Sequence, residues 1–291
     1  MISIIIPFHN EKESLPILIK DIGKELKGKD YEIILVDDGS TDGYKNKTTD
    51  KVKIFTHKKR FGKGQALRTG IDNSSGETIV FMDGDLQDDP RDLAKMLKKI
   101  DEGYGFVNGV RVDRKDNALI KFYSSLATGF LKKFLHSPYT DINCGFKAFK
   151  RDVINGFVFY GNNFRFFPLR VFYNGNKVTE VEVRNNRRRF GQTKFGSGKL
   201  WVGIFDTLTA YFLYKFSERP LHFFGSVGSL SFLAGSVILI VLAIERIFFR
   251  VMLYRRPILF LGMLLVIVGI QIVMTGIIGE LIVFLHKKGK S

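Results

Sequence analysis

Short, almost unbroken apolar runs recur through the first eighty residues: ISIII at 2–6, EIILV at 32–36 and TIVFM at 78–82. Such runs, without polar alternation, suit strands buried on both faces of a parallel sheet. The intervening residues 12–27 and 64–74 read as helices that end near Gly28 and Gly76. Strands alternating with helices predict an α/β fold, a doubly wound parallel sheet. In such a sheet ligands bind at the carboxyl ends of the strands. The residues just past each strand are therefore the informative ones: PFHNE (Pro7 to Glu11), DDGSTD (Asp37 to Asp42) and DGDLQ (Asp83 to Gln87). All three are expected along one edge, which makes Pro7, Asn10, Glu11, Asp37, Asp38 and Asp83 candidates for holding a ligand.

Beyond the sheet the pattern changes twice. Residues 118–135 carry a helical stripe, with Leu119, Phe122, Tyr123, Leu126, Phe130 and Phe134 on one side and Lys121, Ser125, Thr128 and Lys132 on the other. Residues 199–216 are more apolar but are broken by Asp206. Both read as helices lying in a membrane interface, with packing against the sheet as the alternative. From Phe223 onward two stretches, 223–244 and 258–279, each run 22 residues without a formal charge. About 20 such residues cross a hydrocarbon core as a helix. The expected organisation is a catalytic domain over 1–217 and a transmembrane hairpin with a short basic tail over 218–291. Glycines 262, 269 and 276 repeat every seven residues and permit close helix contact, either inside the hairpin or between subunits of a homo-oligomer.

Charge sharpens this picture. Forty-five Lys and Arg against 29 Asp and Glu leave a net charge of +16. With two spans present, the basic excess points to anionic lipid headgroups and not to nucleic acid. The chain opens directly on a strand-like segment with no signal peptide, so the catalytic domain and both termini are expected in the cytoplasm. That expectation outweighs the arginines 246, 250, 255 and 256 in the link between the spans. The lone Cys144 allows no internal disulfide.

Against that positive background FMDGDLQDDP packs Asp83, Asp85, Asp88 and Asp89 into seven residues. Asp83 and Asp85, two apart past a strand, form with the Gln87 amide an oxygen-rich site for a hard divalent cation, Mg²⁺ or Mn²⁺. Asp88 and Asp89 precede Pro90 and read as the start of a helix. KKRFGKGQALRTG (58–70) is no Walker A loop, but it sets Lys63 and two glycines at a helix N-terminus, where an anion is welcome. A solvated basic loop is the plainer reading.

Six segments, SIIIPFHNE, ILVDDGSTD, GKGQALRTGI, SGETIVFMDGDLQDDP, DINCGFKAFKRDVI and RRFGQTKFG, follow one another over nearly the whole chain. In order and spacing they resemble family 2 glycosyltransferases of the GT-A (Rossmann-like) fold, most closely the polyprenyl-phosphate sugar transferases of the dolichyl-phosphate mannose and glucose synthase type. The resemblance implies a nucleotide-sugar donor, UDP- or GDP-linked, a hexose as the group moved, and a polyprenyl- or dolichyl-phosphate lipid as acceptor. It implies that Asp37 and Asp38 hold the nucleotide and that Asp83, Asp85 and Gln87 hold the metal. It also places Arg111, Lys121, Ser125, Arg188 and Lys194 around the phosphates. Lys121 and Ser125 share the polar face of the 118–135 helix, where they would meet the acceptor phosphate with Arg188.

A phosphate nucleophile with a second pKa of about 6 is already largely anionic at neutral pH. Asp141 is therefore either a catalytic group that need not be a strong base or a structural cap before the CGFKAF strand. One displacement inverts the anomeric centre. A processive polysaccharide synthase shares the fold but uses a Q-x-x-R-W acceptor motif, and the only tryptophan here is Trp201. An inactive nucleotide-sugar-binding membrane protein is the non-enzyme alternative.

Overall fold

A computed structural model describes residues 1–44, 48–112, 129, 132, 133, 135–157, 159, 161–188, 190, 207–209, 211–213, 215, 216, 219–250, 252, 254 and 256–289. The two expected interfacial helices, 118–135 and 199–216, fall largely outside these residues. The chain forms two compact units, Met1–Ala210 and Tyr211–Ser291.

The first unit is built on a seven-stranded sheet of order β3-β2-β1-β4-β6-β5-β7. Its strands are β1 Ile2–Phe8, β2 Tyr31–Asp37, β3 Val52–Thr56, β4 Thr78–Phe81, β5 Phe106–Val112, β6 Lys147–Lys150 and β7 Val178–Arg184. The helices are α1 Leu15–Glu25, α2 Lys63–Asp72, α3 Leu93–Asp101 and α4 Phe167–Tyr173. β1 and β2 are buried from their second residue to their last. Their apolar runs are continuous because helices cover both faces of the sheet.

The expected all-parallel sheet is corrected at one strand. β6 pairs antiparallel with both β4 and β5, while the other pairings are parallel. β6 is only four residues long, and the apolar pattern of so short a strand carries no direction. Direction is set by its neighbours. One face of the sheet packs Leu15, Leu18, Ile22, Met96 and Leu97. An aromatic cluster of Phe81, Phe106, Phe149, Phe159 and Phe167 packs in edge-to-face, stacked and tilted pairs.

The second unit holds α5 Pro220–Phe249 and α6 Pro257–Lys288, each long and apolar enough to cross a membrane. They contain the two expected spans and form a hairpin. The glycines make the seam. A Cβ on Gly235 would stand 2.7 Å from the Gly262 carbonyl oxygen, and one on Gly228 would stand 2.7 Å from that of Gly269. The heptad glycines of α6 are thus used within the hairpin. Ser231 Oγ donates to the Leu265 carbonyl at 3.0 Å, and Leu221 N–H donates to Glu280 Oε2 at 3.3 Å. These bonds satisfy polar groups that lipid could not.

Candidate active site

β1, β2 and β4 run in register, with Phe8 opposite Asp37 and Ile5 opposite Phe81, so their carboxyl ends open on one edge. The turns past β1 and β2 are stapled together there. Asn10 takes a left-handed conformation (φ 59°). In that pose its N–H donates to Ser40 Oγ at 2.9 Å, and its Oδ1 accepts from Thr41 N–H at 2.7 Å. Asparagine tolerates this conformation better than most residues. Lys12 N–H donates to Asp42 Oδ2 at 2.9 Å. Pro7 is buried inside β1, where it pairs with Val36.

Adjacent aspartates at the end of β2 do different work. Both oxygens of Asp38 are taken: Phe61 N–H and Gly62 N–H each donate at 2.8 Å, and His57 Nδ1 lies at 3.0 Å. Burial pushes the Asp38 carboxyl up, but the His57 contact and the two backbone donors outweigh it and hold it below the ordinary carboxylate range. Asp38 therefore anchors the 57–62 loop. Asp37 accepts from Ser40 N–H through Oδ1 at 2.8 Å, which leaves Oδ2 without a hydrogen bond among the described residues.

Past β4 the acidic turn closes on itself. Asp88 Oδ2 accepts from Asp83 N–H at 3.0 Å, and Asp85 Oδ1 accepts from Gln87 N–H at 3.2 Å. Between them Leu86 is forced to φ 63° while its side chain stays in the core. A bulky residue there stores backbone strain, held by burial of its side chain. Of the two acids expected to start a helix, Asp89 does so, accepting from Arg91 N–H at 3.1 Å. Asp88 instead turns back into the cluster.

Charge in the turn is uneven. Lys63, at the start of α2, bonds Asp83 Oδ1. Burial pushes Asp83 up, but Lys63, with Lys147 and Arg111 behind it, brings it below its ordinary value. Asp85 has no such partner, and burial and the Asp83 charge raise it to about 6. The same two causes raise Asp88 to about 7.

Two more cations stand near the acids. Arg111, on β5, grips Asp141 bidentately, Nε to Oδ2 at 2.7 Å and Nη2 to Oδ1 at 2.9 Å. Both Asp141 oxygens are thereby engaged. Arg188 bonds buried Glu11 through Nη2 and the Phe190 carbonyl through Nε at 3.0 Å. It is brought in because Asn186 N–H donates to the Gln87 carbonyl at 2.9 Å, tying the segment after β7 to the acidic turn. Lys121, Ser125 and Lys194 lie outside the described residues.

Sequence reasoning missed Lys147 and Gly145. Phe81 pairs with Lys147 in the antiparallel β4–β6 ladder, so continuing that register sets Asp83 against Gly145. A Cβ on Gly145 would stand 2.6 Å from Asp83 Oδ2. The Lys147 ammonium is buried and donates to the carbonyls of Ile142 and Cys144, in the turn between Asp141 and Gly145. Burial lowers its pKa to about 8. The one available signal, a lysine inside an apolar strand, gains meaning only from the strand's direction. Gly145→Ala should displace the Asp83 carboxylate, which can rotate without unfolding anything. Activity should fall about ten- to a hundredfold, since a misplacement of this size is felt in turnover. The melting temperature should hardly move. Turnover equal to the unsubstituted protein would show that this carboxylate's position is not critical.

Among the described residues no three His, Cys, Asp or Glu side chains converge as a ready metal cage. Asp83 and Asp85 stand close enough for the charge of one to act on the other, and the Gln87 N–H caps Asp85. The raised Asp85 and Asp88 carboxyls mark surplus negative charge that a cation would relieve. These residues fit a divalent ion that draws its other ligands from a bound diphosphate.

A mixed α/β sheet with an acidic turn past its fourth strand and cations around it has the architecture of the GT-A fold. Residues 3–157 match the model of glycosyl transferase family 2, and the chain belongs to that family. It is 30% identical over 291 residues to an undecaprenyl-phosphate 4-deoxy-4-formamido-L-arabinose transferase of Enterobacter sp. (strain 638), covering 97% of this chain and 88% of that one. It is 29% identical over 294 residues to a dodecaprenyl-phosphate galacturonate synthase of Rhizobium johnstonii, covering 97% and 87%. Among solved structures it resembles glucosyl-3-phosphoglycerate synthase from Mycobacterium tuberculosis in complex with Mn²⁺, UDP-glucose and phosphoglyceric acid. That likeness has a TM-score of 0.56 and 19% identity, over 72% of this chain and 79% of that one. It bears on the fold alone.

Proposed function

We propose that this glycosyltransferase moves a sugar, a hexose or a close relative, from a UDP- or GDP-linked donor onto a polyprenyl phosphate, with inversion. The carrying observation is the confrontation of Asp83 and Asp85 with Lys63, Arg111 and Arg188 at one sheet edge. The names of the two family relatives support a lipid-phosphate acceptor, and their differing sugars leave the donor sugar open. The two apolar helices support a membrane location. In this reading 1–217 is the catalytic domain, 218–291 is the anchor, and the domain and both termini face the cytoplasm.

Each group then has a task. Asp37, with one oxygen unspent, accepts from the nucleoside, while Asp38 holds the 57–62 loop in place for it. Asp83, Asp85 and Gln87 hold Mg²⁺ or Mn²⁺, which when bound neutralises the departing diphosphate. Lys63 and Arg111 add fixed positive charge where negative charge builds on the leaving group. Asp141 orients Arg111, gripping it through both of its oxygens. Arg188, with Lys121, Ser125 and Lys194, receives the acceptor phosphate, whose oxygen attacks without a strong base.

The test is transfer in neutral detergent from a panel of labelled UDP- and GDP-sugars to a short-chain polyprenyl phosphate. One donor should give a labelled lipid, and EDTA should abolish its formation. Loss of a charge-assisted phosphate contact is worth roughly 1.5–3 kcal/mol, so Arg188→Ala should lower the rate about ten- to a hundredfold. No labelled lipid from any donor would overturn the acceptor class. Full turnover after verified metal removal would overturn the metal.

A further inference from the structure

The hairpin leaves one polar group unexplained. Gln271 stands midway along α6, inside the charge-free stretch 258–279, and its side chain is exposed. Its carboxamide has no hydrogen-bond partner among the described residues; only its backbone carbonyl is used, by Thr275 Oγ1 at 2.9 Å. At this depth neither water nor an acyl chain can satisfy an amide. The glycine seam does not need it either. Gln271 is two residues from Gly269 and so lies about 200° round the helix from it.

The neighbours of Gln271 have a definite pattern. Leu264, Ile267, Gln271, Met274 and Ile278 are all exposed, and their spacing alternates three and four residues. That is the a/d repeat by which two helices pack at a shallow left-handed crossing, and a single polar residue in such a seam sets its register. Copies of one chain insert in the same orientation, so a parallel pair of α6 helices would set residue 271 opposite residue 271 at equal depth. A carboxamide carries both a donor and an acceptor, so two of them satisfy each other across a two-fold axis.

We infer that α6 is a self-association surface, on which a second copy of this chain packs through Leu264, Ile267, Met274 and Ile278 and pairs its Gln271 carboxamide with the first. The occupant is a like chain because the amide is self-complementary and equal depth follows from equal insertion. The surface is distinct from the glycine seam, so dimerisation leaves the hairpin intact.

The natural cysteine content makes the test clean, since Cys144 is fully buried. Full-length Gln271→Cys is reconstituted at low density in phosphatidylcholine vesicles and oxidised. A disulfide-linked dimer is expected. Ile277→Cys, also exposed but about 120° round the helix, should give little. Because the cysteine removes the amide, a second measurement uses Gln271→Leu, with subunits counted by single-molecule photobleaching. Its association constant should fall about tenfold. Equal cross-linking at 271 and 277, or unchanged association of Gln271→Leu, would overturn the surface. A monomeric wild-type chain in these vesicles would overturn the second copy as its occupant.

Discussion

Asp85→Ala should remove about a thousandfold of transfer activity while making the metal-free protein more stable at neutral pH. The two effects share a cause. Asp85 is an acid held in a partly buried turn beside the Asp83 charge, and the Gln87 N–H and the Arg188 charge favour its ionised form too weakly to offset this. Its folded pKa of about 6 stands above the ordinary 3.8, and Asp88 is raised likewise to about 7. Between roughly pH 4 and pH 7 the native state therefore keeps protons that the unfolded chain has released. Stability falls as pH rises through that window and stays lower above it. The melting temperature of the metal-free protein should accordingly be higher near pH 5 than near pH 8. Asp85→Ala should flatten that slope and raise the pH 8 value by a few degrees. Losing the charge that holds a cation at the leaving group should meanwhile cost the rate. Mn²⁺ alone should stabilise the wild type above pH 7 and the variant hardly at all. A variant that melts lower than wild type at pH 8 would show that Asp85 supports the fold and is not a destabilised functional acid.

Gly269→Leu should part the two apolar helices. A Cβ at 269 would meet Phe232 N at 2.6 Å, the Gly228 carbonyl oxygen at 2.7 Å and Phe232 Cα at 2.9 Å. All three are backbone atoms of the facing helix, so no rotamer change relieves the clash and the helices must separate. Overpacking a fitted site costs about 1–3 kcal/mol, and loss of close backbone contact removes the packing on which such helix pairs depend. Gly225→Leu is the control, since a Cβ there meets only Leu221 side-chain carbons at 3.5 Å and beyond. Circular dichroism melts in detergent should show an earlier helical transition for Gly269→Leu and a wild-type curve for Gly225→Leu. Equal curves for both variants would mean that the seam contributes little.

How much of this was legible in the chain depends on the range of the interaction concerned. β1, β2 and β4 were readable because strands buried on both faces must be apolar throughout. The two helices long and apolar enough to cross a membrane were readable because a hydrocarbon core of fixed thickness demands long charge-free runs. The placement of the three candidate turns followed, since parallel strands put their carboxyl ends on one edge. Reading Asp83 and Asp85 as an acid pair needed only their alternation past a strand.

The rest was decided by contacts between residues far apart in sequence. The reversed direction of β6 brings Gly145 against Asp83 and Lys147 beneath the site, and a four-residue strand cannot announce its own polarity. Asp37 and Asp38 look equivalent in DDGSTD, yet only Asp38 is filled, by donors some 20 residues later. The Glu11–Arg188 pair joins residues near opposite ends of the first unit's sequence. Glycines 262, 269 and 276 could have served either a hairpin or a dimer, because a heptad of small residues permits close approach without naming its partner. Local composition determines which residues can be strands, spans and acids. Tertiary packing alone decides which acid keeps a free oxygen, which lysine is buried and which face of a span is left with an amide to satisfy.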